Sequence, residues 1–211
     1  MKTDDLIRAL AADSAPQRAP RVTAALALGL ATVIAAAVFF AALGPRPDID
    51  NAAQTIRFLF KFVVTLALGV SAFGVLFRLS IPGASSEHAL RLLLIAPVLL
   101  AGGVLLELAV TPRTSWEPRL VGTNSMLCMT FIPLIAIGPL IAFLGFLRTT
   151  APTRPMLGGA IAGLVAGGLA ATFYAAHCPD DSPLFVAVWY SLAIATLALA
   201  GALIGRRCLR W

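Results

Sequence analysis

Residues 125–147 read SMLCMTFIPLIAIGPLIAFLGFL, a run without one charged side chain. At a helical rise of about 1.5 Å per residue it would be roughly 35 Å long, enough to cross hydrocarbon about 30 Å thick. Surface helices of soluble domains keep a polar stripe, and this run has none. Outward from it lie five further apolar stretches, at 22–43, 58–77, 92–110, 156–176 and 184–204. The breaks between them hold turn formers: Gly44-Pro45-Arg46-Pro47, Ile81-Pro82-Gly83, Thr111-Pro112-Arg113, Thr153-Arg154-Pro155 and His177-Cys178-Pro179. Period-two alternation is missing, which excludes a membrane β-barrel. The expected fold is an all-α integral membrane protein, a bundle of six transmembrane helices.

Composition points the same way. Hydrophobic residues make up 59% of the 211 positions and charged residues only 12%, against about half and about a quarter in soluble domains. So little charge cannot cover so much apolar surface, and the lipid bilayer must be part of the solvent. The net charge of +6 does not imply nucleic acid. Basic residues stand singly between apolar runs, with no cluster longer than Arg206-Arg207, and a phosphate-tracking surface needs a basic patch. No nucleic-acid partner is expected.

The single charges do predict orientation. With the N-terminus in the cytoplasm, eleven Lys and Arg residues fall on the inner side and five on the outer. This bias places both termini in the cytoplasm. The first apolar run is too long for a signal-peptide core and follows some twenty residues that include Asp4, Asp5 and Asp13. It is expected to remain as the first helix. The chain then divides into a cytoplasmic tail (1–20), a transmembrane domain (21–205) and a short cytoplasmic C-tail (206–211).

Within the spans, Pro97, Pro133 and Pro139 are read as kinks satisfied by neighbouring helices. Gly158, Gly159, Gly163, Gly167 and Gly168 put small residues on one face of the fifth span, which permits close helix packing. Trp116, Trp189, Tyr190 and Trp211 lie near span ends and are read as interfacial anchors.

The N-tail is the first functional candidate. Thr3 can cap a short helix whose first turn holds Asp4 and Asp5, favourably placed against the helix dipole. Leu6, Ile7 and Leu10 then share a face. So short a helix is marginal alone in water. It must pack on the protein's own loops, lie on the membrane or enter a partner's groove, and its acidic residues disfavour an anionic leaflet.

The cysteines are the second. The charge bias puts Cys128 and Cys178 on the outer side, where disulfides persist, and Cys208 on the inner side. His177 adjoins Cys178, Asp180 and Asp181 follow it, and Glu107 lies near the outer end of the third span. Thiols beside an imidazole suit redox chemistry or a soft metal ion. Cys128 taken alone also reads as a small buried hydrophobe. Glu107 reads either as an interfacial carboxylate or as a functional intramembrane acid. Sequence motifs of hydrolases, phosphate-binding loops and zinc peptidases are absent, so no enzyme is expected and no resident cofactor beyond a transient soft metal ion.

The chain resembles the NrsF-like membrane anti-sigma factors of proteobacteria. The resemblance is carried by the opening Met1-Lys-Thr-Asp-Asp-Leu-Ile, continued by Arg-Ala-Leu-Ala-Ala-Asp13, and by Ala151-Pro-Thr-Arg-Pro155 and Gly163-Leu-Val-Ala-Gly-Gly168. The block His177-Cys-Pro-Asp-Asp-Ser-Pro-Leu-Phe185, the pair Trp189-Tyr190 and the closing Gly205-Arg-Arg207 add to it. It implies a multi-pass protein of the bacterial inner membrane whose N-tail, through Asp4, Asp5, Leu6, Ile7 and Leu10, holds an extracytoplasmic-function sigma factor inactive. It also implies that Cys128 and Cys178, with His177 adjoining, sense heavy-metal or oxidative stress. Cys208 lies outside the family's pattern, and Glu107 has no assigned role. Two rival classes use the same features. A membrane thiol oxidoreductase would need a second redox pair and a quinone site, and a small-solute transporter would need intramembrane polar groups or repeat symmetry.

Overall fold

The computed structural model describes residues 3–5, 7, 20–81, 83–150 and 152–209. Every regular element among them is helical. Six helices are long and apolar enough to cross a membrane: α1 (Pro20–Ala42), α2 (Ile56–Leu79), α3 (Glu87–Val110), α4 (Ser125–Thr150), α5 (Pro155–Ala175) and α6 (Pro183–Cys208). They match the six apolar runs but outrun several of them. The extensions carry Glu87 and Arg91 in α3, Arg148 in α4, and Arg206 and Arg207 in α6. A helix does not stop where hydrocarbon stops, so hydropathy marks the apolar length and not the helical length.

Short connections force successive helices to reverse direction. The connections at 43–55, 111–124 and 176–182 therefore share one end of the bundle, which holds Cys178 and, one turn into α4, Cys128. We call it the thiol end. The start of α1, the connections at 80–86 and 151–154 and the end of α6 share the other, the tail end. Local chemistry sets the helix starts. The Thr55 hydroxyl accepts from the Phe58 amide at the head of α2, and Ser182 accepts from Leu184 ahead of Pro183 in α6.

α5 is the axis, packed against α6, α2, α4 and α1. Its glycines decide this. A Cβ on Gly159 or Gly163 would collide with the carbonyl oxygens of Gly201 and Leu197 in α6, and one on Gly168 would stand 2.9 Å from the Gly69 amide of α2. Backbones meet there without intervening side chains, as small-residue helix pairs allow. α1 lies on α4 through Ala24, Ala27, Ala31 and Ala35. α3 is peripheral, with only Ala96 and Glu107 buried among residues 95–110. α4 runs as one helix through Pro133 and Pro139. Large apolar side chains such as Leu30, Val33, Val70, Leu105, Ile141 and Leu199 face outward, where lipid would be their solvent.

Candidate functional site

The site is assembled by the connection between α5 and α6. Its first residues continue the last turn of α5, with the amides of His177 and Cys178 both donating to the Tyr174 carbonyl at 3.0 Å. Two residues on, the Asp180 carboxylate accepts from the backbone amides of Thr123 and Asn124, at 3.0 and 2.9 Å, just ahead of α4. An anion at a helix start satisfies amides that have no partner in the helix and complements its dipole. That bond draws the connection onto α4. Gly122 makes the approach possible: its φ is +59° with ψ −168°, and a Cβ would meet the Phe185 ring and stand 2.9 Å from the Asp180 carboxyl carbon.

With Asp180 anchored, Cys178 comes to lie beside Cys128. Both are free thiols with no exposed surface, close enough to interact directly. The Cys178 thiol, whose sulfur lies 3.9 Å from the Asp180 carbonyl oxygen, is held below its ordinary range, first by the neighbouring Cys128 thiol and further by the Lys61 ammonium, against the opposing effect of burial. The hydroxyls of Tyr174 and Tyr190 reach the same neighbourhood, and their ring centroids are 5.9 Å apart. Neither hydroxyl has a hydrogen-bond partner among the described residues. Leaving a buried hydroxyl unpaired costs about 1–3 kcal/mol. Tyr190 also ends a π-helical stretch, Val186–Tyr190, inside α6, a geometry frequent at functional sites. The reading of Tyr190 as an interfacial anchor is therefore corrected: its ring is buried against Tyr174 and Phe185. Trp116 and Trp189 donate to the carbonyls of Thr111 and Leu120. Trp211 lies outside the described residues.

A chain of charges braces the thiols from the side of α2. Lys61 is completely buried, and its ammonium meets the Asp181 carboxylate at 2.6 Å and donates to the Cys178 carbonyl at 2.8 Å. Asp181 also pairs with Arg46 at 3.1 Å, and Arg46 forks onto Asp48 at 2.7 Å. The Arg46 hydrogen bond holds the exposed Asp48 carboxyl below the usual carboxylate range. The Arg46 amide donates to the Ala176 carbonyl, and His177 Nδ1 donates to the Gly44 carbonyl at 2.9 Å. Nearby, Glu107 is buried between Arg57 (3.1 Å) and Arg119 (2.6 Å). It braces α2, α3 and the short helix Trp116–Val121.

No group of three or more His, Cys, Asp or Glu side chains that could hold a metal ion occurs among the described residues. His177, Asp180 and Asp181 are engaged with backbone or with cations, which leaves the two thiols as the soft ligands of the site. Cys178, expected in a polar loop, is fully buried, while Cys208 is exposed at the tail end. In the tail, Thr3–Asp5 and Ile7 are helical and exposed. Leu6 and Leu10 lie outside the described residues.

The family described as negative regulator of sigma F matches residues 10–211. The chain belongs to the NrsF family. It is 36% identical to the anti-sigma-F factor NrsF of Caulobacter vibrioides over 214 aligned residues, covering the whole of both chains. It is also 36% identical to the probable anti-sigma-F factor NrsF of Azospira oryzae over 218 aligned residues, again covering both chains completely. No solved structure matches. Family membership agrees with the resemblance seen in the sequence. Lys61, Arg46, Tyr174 and Tyr190 were not singled out there as part of a site. The one available signal was a lone lysine five residues into an apolar helix, a placement costly enough to imply a partner.

Proposed function

We propose that this chain is a membrane anti-sigma factor that holds an extracytoplasmic-function sigma factor at the bacterial inner membrane and releases it when Cys128 and Cys178 meet a heavy-metal or oxidative signal. Both termini lie in the cytoplasm and the thiol end faces the periplasm, as the eleven-to-five basic bias favours. The tail binds the sigma factor through Asp4, Asp5, Leu6, Ile7 and Leu10, with the apolar residues as buried anchors. Supporting this reading are the family, the names of its full-length relatives and, above all, two buried, adjacent thiols at the end of the bundle opposite the tail.

Two signals fit the pocket. A thiol oxidant would take two electrons and two protons from the pair as the sulfur–sulfur bond forms. A soft metal ion of low coordination number would be held by the two sulfurs alone, since His177, Asp180 and Asp181 are committed elsewhere. Burial admits a small reagent and excludes a bulky one. The test is a sigma-dependent reporter in cells carrying Cys128→Ser, Cys178→Ser or both, challenged with a thiol oxidant and with cadmium. Each variant should keep basal repression and lose induction. If all three induce as the parent does, the thiols are structural. A tail variant, Leu6→Asp, should turn the reporter on without stress, because losing one buried leucine weakens binding about ten- to hundredfold.

A further inference from the structure

Two buried hydroxyls beside the thiols have no task in the bonding described so far. The Tyr174 hydroxyl adjoins the sulfurs of both Cys128 and Cys178, and the Tyr190 hydroxyl adjoins that of Cys178. The two tyrosines are 0% and 1% exposed, and neither hydroxyl oxygen has a hydrogen-bond partner among the described residues. Buried polar groups are nearly always paired, so an exception marks a functional candidate. Both rings are held from behind. Tyr174 stands one turn before Cys178, its carbonyl accepting from the Cys178 amide. Tyr190 packs its ring on Tyr174 at 5.9 Å and on Phe185 at 6.3 Å. In an α-helix, residues five apart point about 140° away from each other. The π-helical turn Val186–Tyr190 widens the helix at this point and lets Phe185 and Tyr190 face the same side.

We propose that Tyr174 and Tyr190 donate hydrogen bonds to the leaving oxygen of a small hydroperoxide, and so make hydrogen peroxide the preferred oxidant of the Cys128–Cys178 pair. This rests on the reading of that pair as the sensor and names its substrate class. The Cys178 sulfur attacks one peroxide oxygen; the sulfur–oxygen bond forms and the oxygen–oxygen bond breaks. The departing hydroxide takes the proton that Cys178 gave up and leaves as water. The Cys128 sulfur then attacks that of Cys178; the sulfur–sulfur bond forms, the sulfur–oxygen bond breaks, and the second hydroxide takes the Cys128 proton. The two sulfurs lose two electrons in all, the peroxide gains them, and two waters depart. Negative charge develops on the leaving oxygen in both steps, and donors fixed in a buried site lower that barrier most. Hydroxyls with no resting partner are free to turn towards it. Cys178 is the thiol placed to attack first, because the Lys61 ammonium lies beside it and donates to its carbonyl at 2.8 Å. Burial of both sulfurs favours an uncharged molecule of this size over a charged oxidant. A soft cation gains nothing from hydroxyl protons and takes the sulfurs alone.

The test uses the full chain in detergent in a Cys208→Ser background, comparing the parent with Tyr174→Phe and Tyr190→Phe, which remove the hydroxyls and keep the rings. Loss of the two thiols is timed under hydrogen peroxide, and separately under iodoacetamide, whose leaving iodide is a poor hydrogen-bond acceptor. Each Phe variant should react with peroxide about 100-fold more slowly, the usual loss for one such donor, while its alkylation rate stays within about twofold of the parent. Cadmium affinity should not change. Peroxide rates equal to the parent's in both variants overturn the proposal. So does a parallel fall in peroxide and iodoacetamide rates, which would assign the hydroxyls to packing or to the thiols themselves. A fall in cadmium affinity with unchanged peroxide rates makes the phenols metal ligands and overturns it too. Failure of the thiols as the sensor would show separately, as full induction in the Cys128→Ser and Cys178→Ser reporter strains, while the rates on purified protein still report on the hydroxyls.

Discussion

Removal of the Asp181 carboxylate should unsettle the thiol end more than loss of any exposed ion pair. Lys61 has no exposed surface, and its ammonium touches one carboxylate oxygen, at 2.6 Å, and one carbonyl oxygen, at 2.8 Å. Asp181→Ala leaves a buried ammonium with the carbonyl alone, while Arg46 keeps its fork onto Asp48. Breaking a buried ion pair from one side costs about 3–5 kcal/mol, whereas replacing both partners with neutral groups of similar shape is often close to neutral. The expected pattern is thus non-additive: Asp181→Ala strongly destabilised, Lys61→Met with Asp181→Asn close to the parent, and a coupling energy well above the few tenths expected of independent sites. Melting in detergent, followed by a thiol-reactive dye in a Cys208→Ser background, reads Cys128 and Cys178 and so reports the thiol end directly. A drop in midpoint on the order of 10 °C corresponds to a loss of this size. If Asp181→Ala melts with the parent, or the double variant is as damaged as the single, Lys61 does not depend on Asp181 and the bracing argument fails.

Three further outcomes follow from the same geometry. Asp180→Ala removes the carboxylate from the amides ahead of α4; it should cost about 1–2 kcal/mol and raise the reactivity of Cys128 and Cys178 towards a small alkylating reagent, with unchanged reactivity refuting its anchoring role. Glu107→Gln breaks two charge-assisted bonds and should cost about 1–3 kcal/mol while leaving the cysteines' response to oxidant intact, which a combined melting and reporter assay checks. For orientation, an impermeant maleimide applied to spheroplasts should label Asp50→Cys in a Cys208→Ser background and leave Cys208 of the unsubstituted chain unlabelled; the reverse pattern would invert the topology.

The spans were legible because the bilayer imposes a length and a composition that few other environments demand, and a run such as 125–147 meets both. Helix ends were less so, since Glu87 and Arg206 continue a helix beyond the hydrocarbon that hydropathy detects. The adjacency of Cys128 and Cys178 could be suggested from topology alone, but its cause could not. It depends on Asp180 finding the amides of Thr123 and Asn124, a contact between residues 56 and 57 positions apart that leaves no local pattern. Asp180 and Asp181 looked alike as candidate ligands, yet one accepts from the amides just ahead of α4 and the other neutralises a buried lysine. Their difference lies in what surrounds each in space. Tyr190 misled for a related reason: a tyrosine near a span end fits an interfacial anchor equally well, and only the packing of α6 on α5 turns it inward.

That packing also bears on how an event at the thiols could reach the tail. α5 and α6 meet backbone to backbone at Gly159, Gly163, Gly201 and Gly205, so sliding one against the other would drive carbonyl oxygens into main chain. They form one unit, and the Cys178 connection joins its two halves. Cys128 belongs to α4, which packs on both helices of that unit and sets the Leu147 side chain, not backbone, against Gly158 of α5. Such contacts can repack through rotamer changes where a backbone contact cannot. A bond or shared ion between Cys128 and Cys178 therefore acts across the more adjustable interface, between α4 and the α5–α6 unit. α1 rests on α4 through its alanine stripe, with Gly138 of α4 seated against Ile34, and α1 carries the tail. A shift of α4 thus has a direct packing route through α1 to the residues read here as the sigma-binding element. For that route to release a partner, the two arrangements of α4 need differ only by the typical coupling energy of about 1–3 kcal/mol.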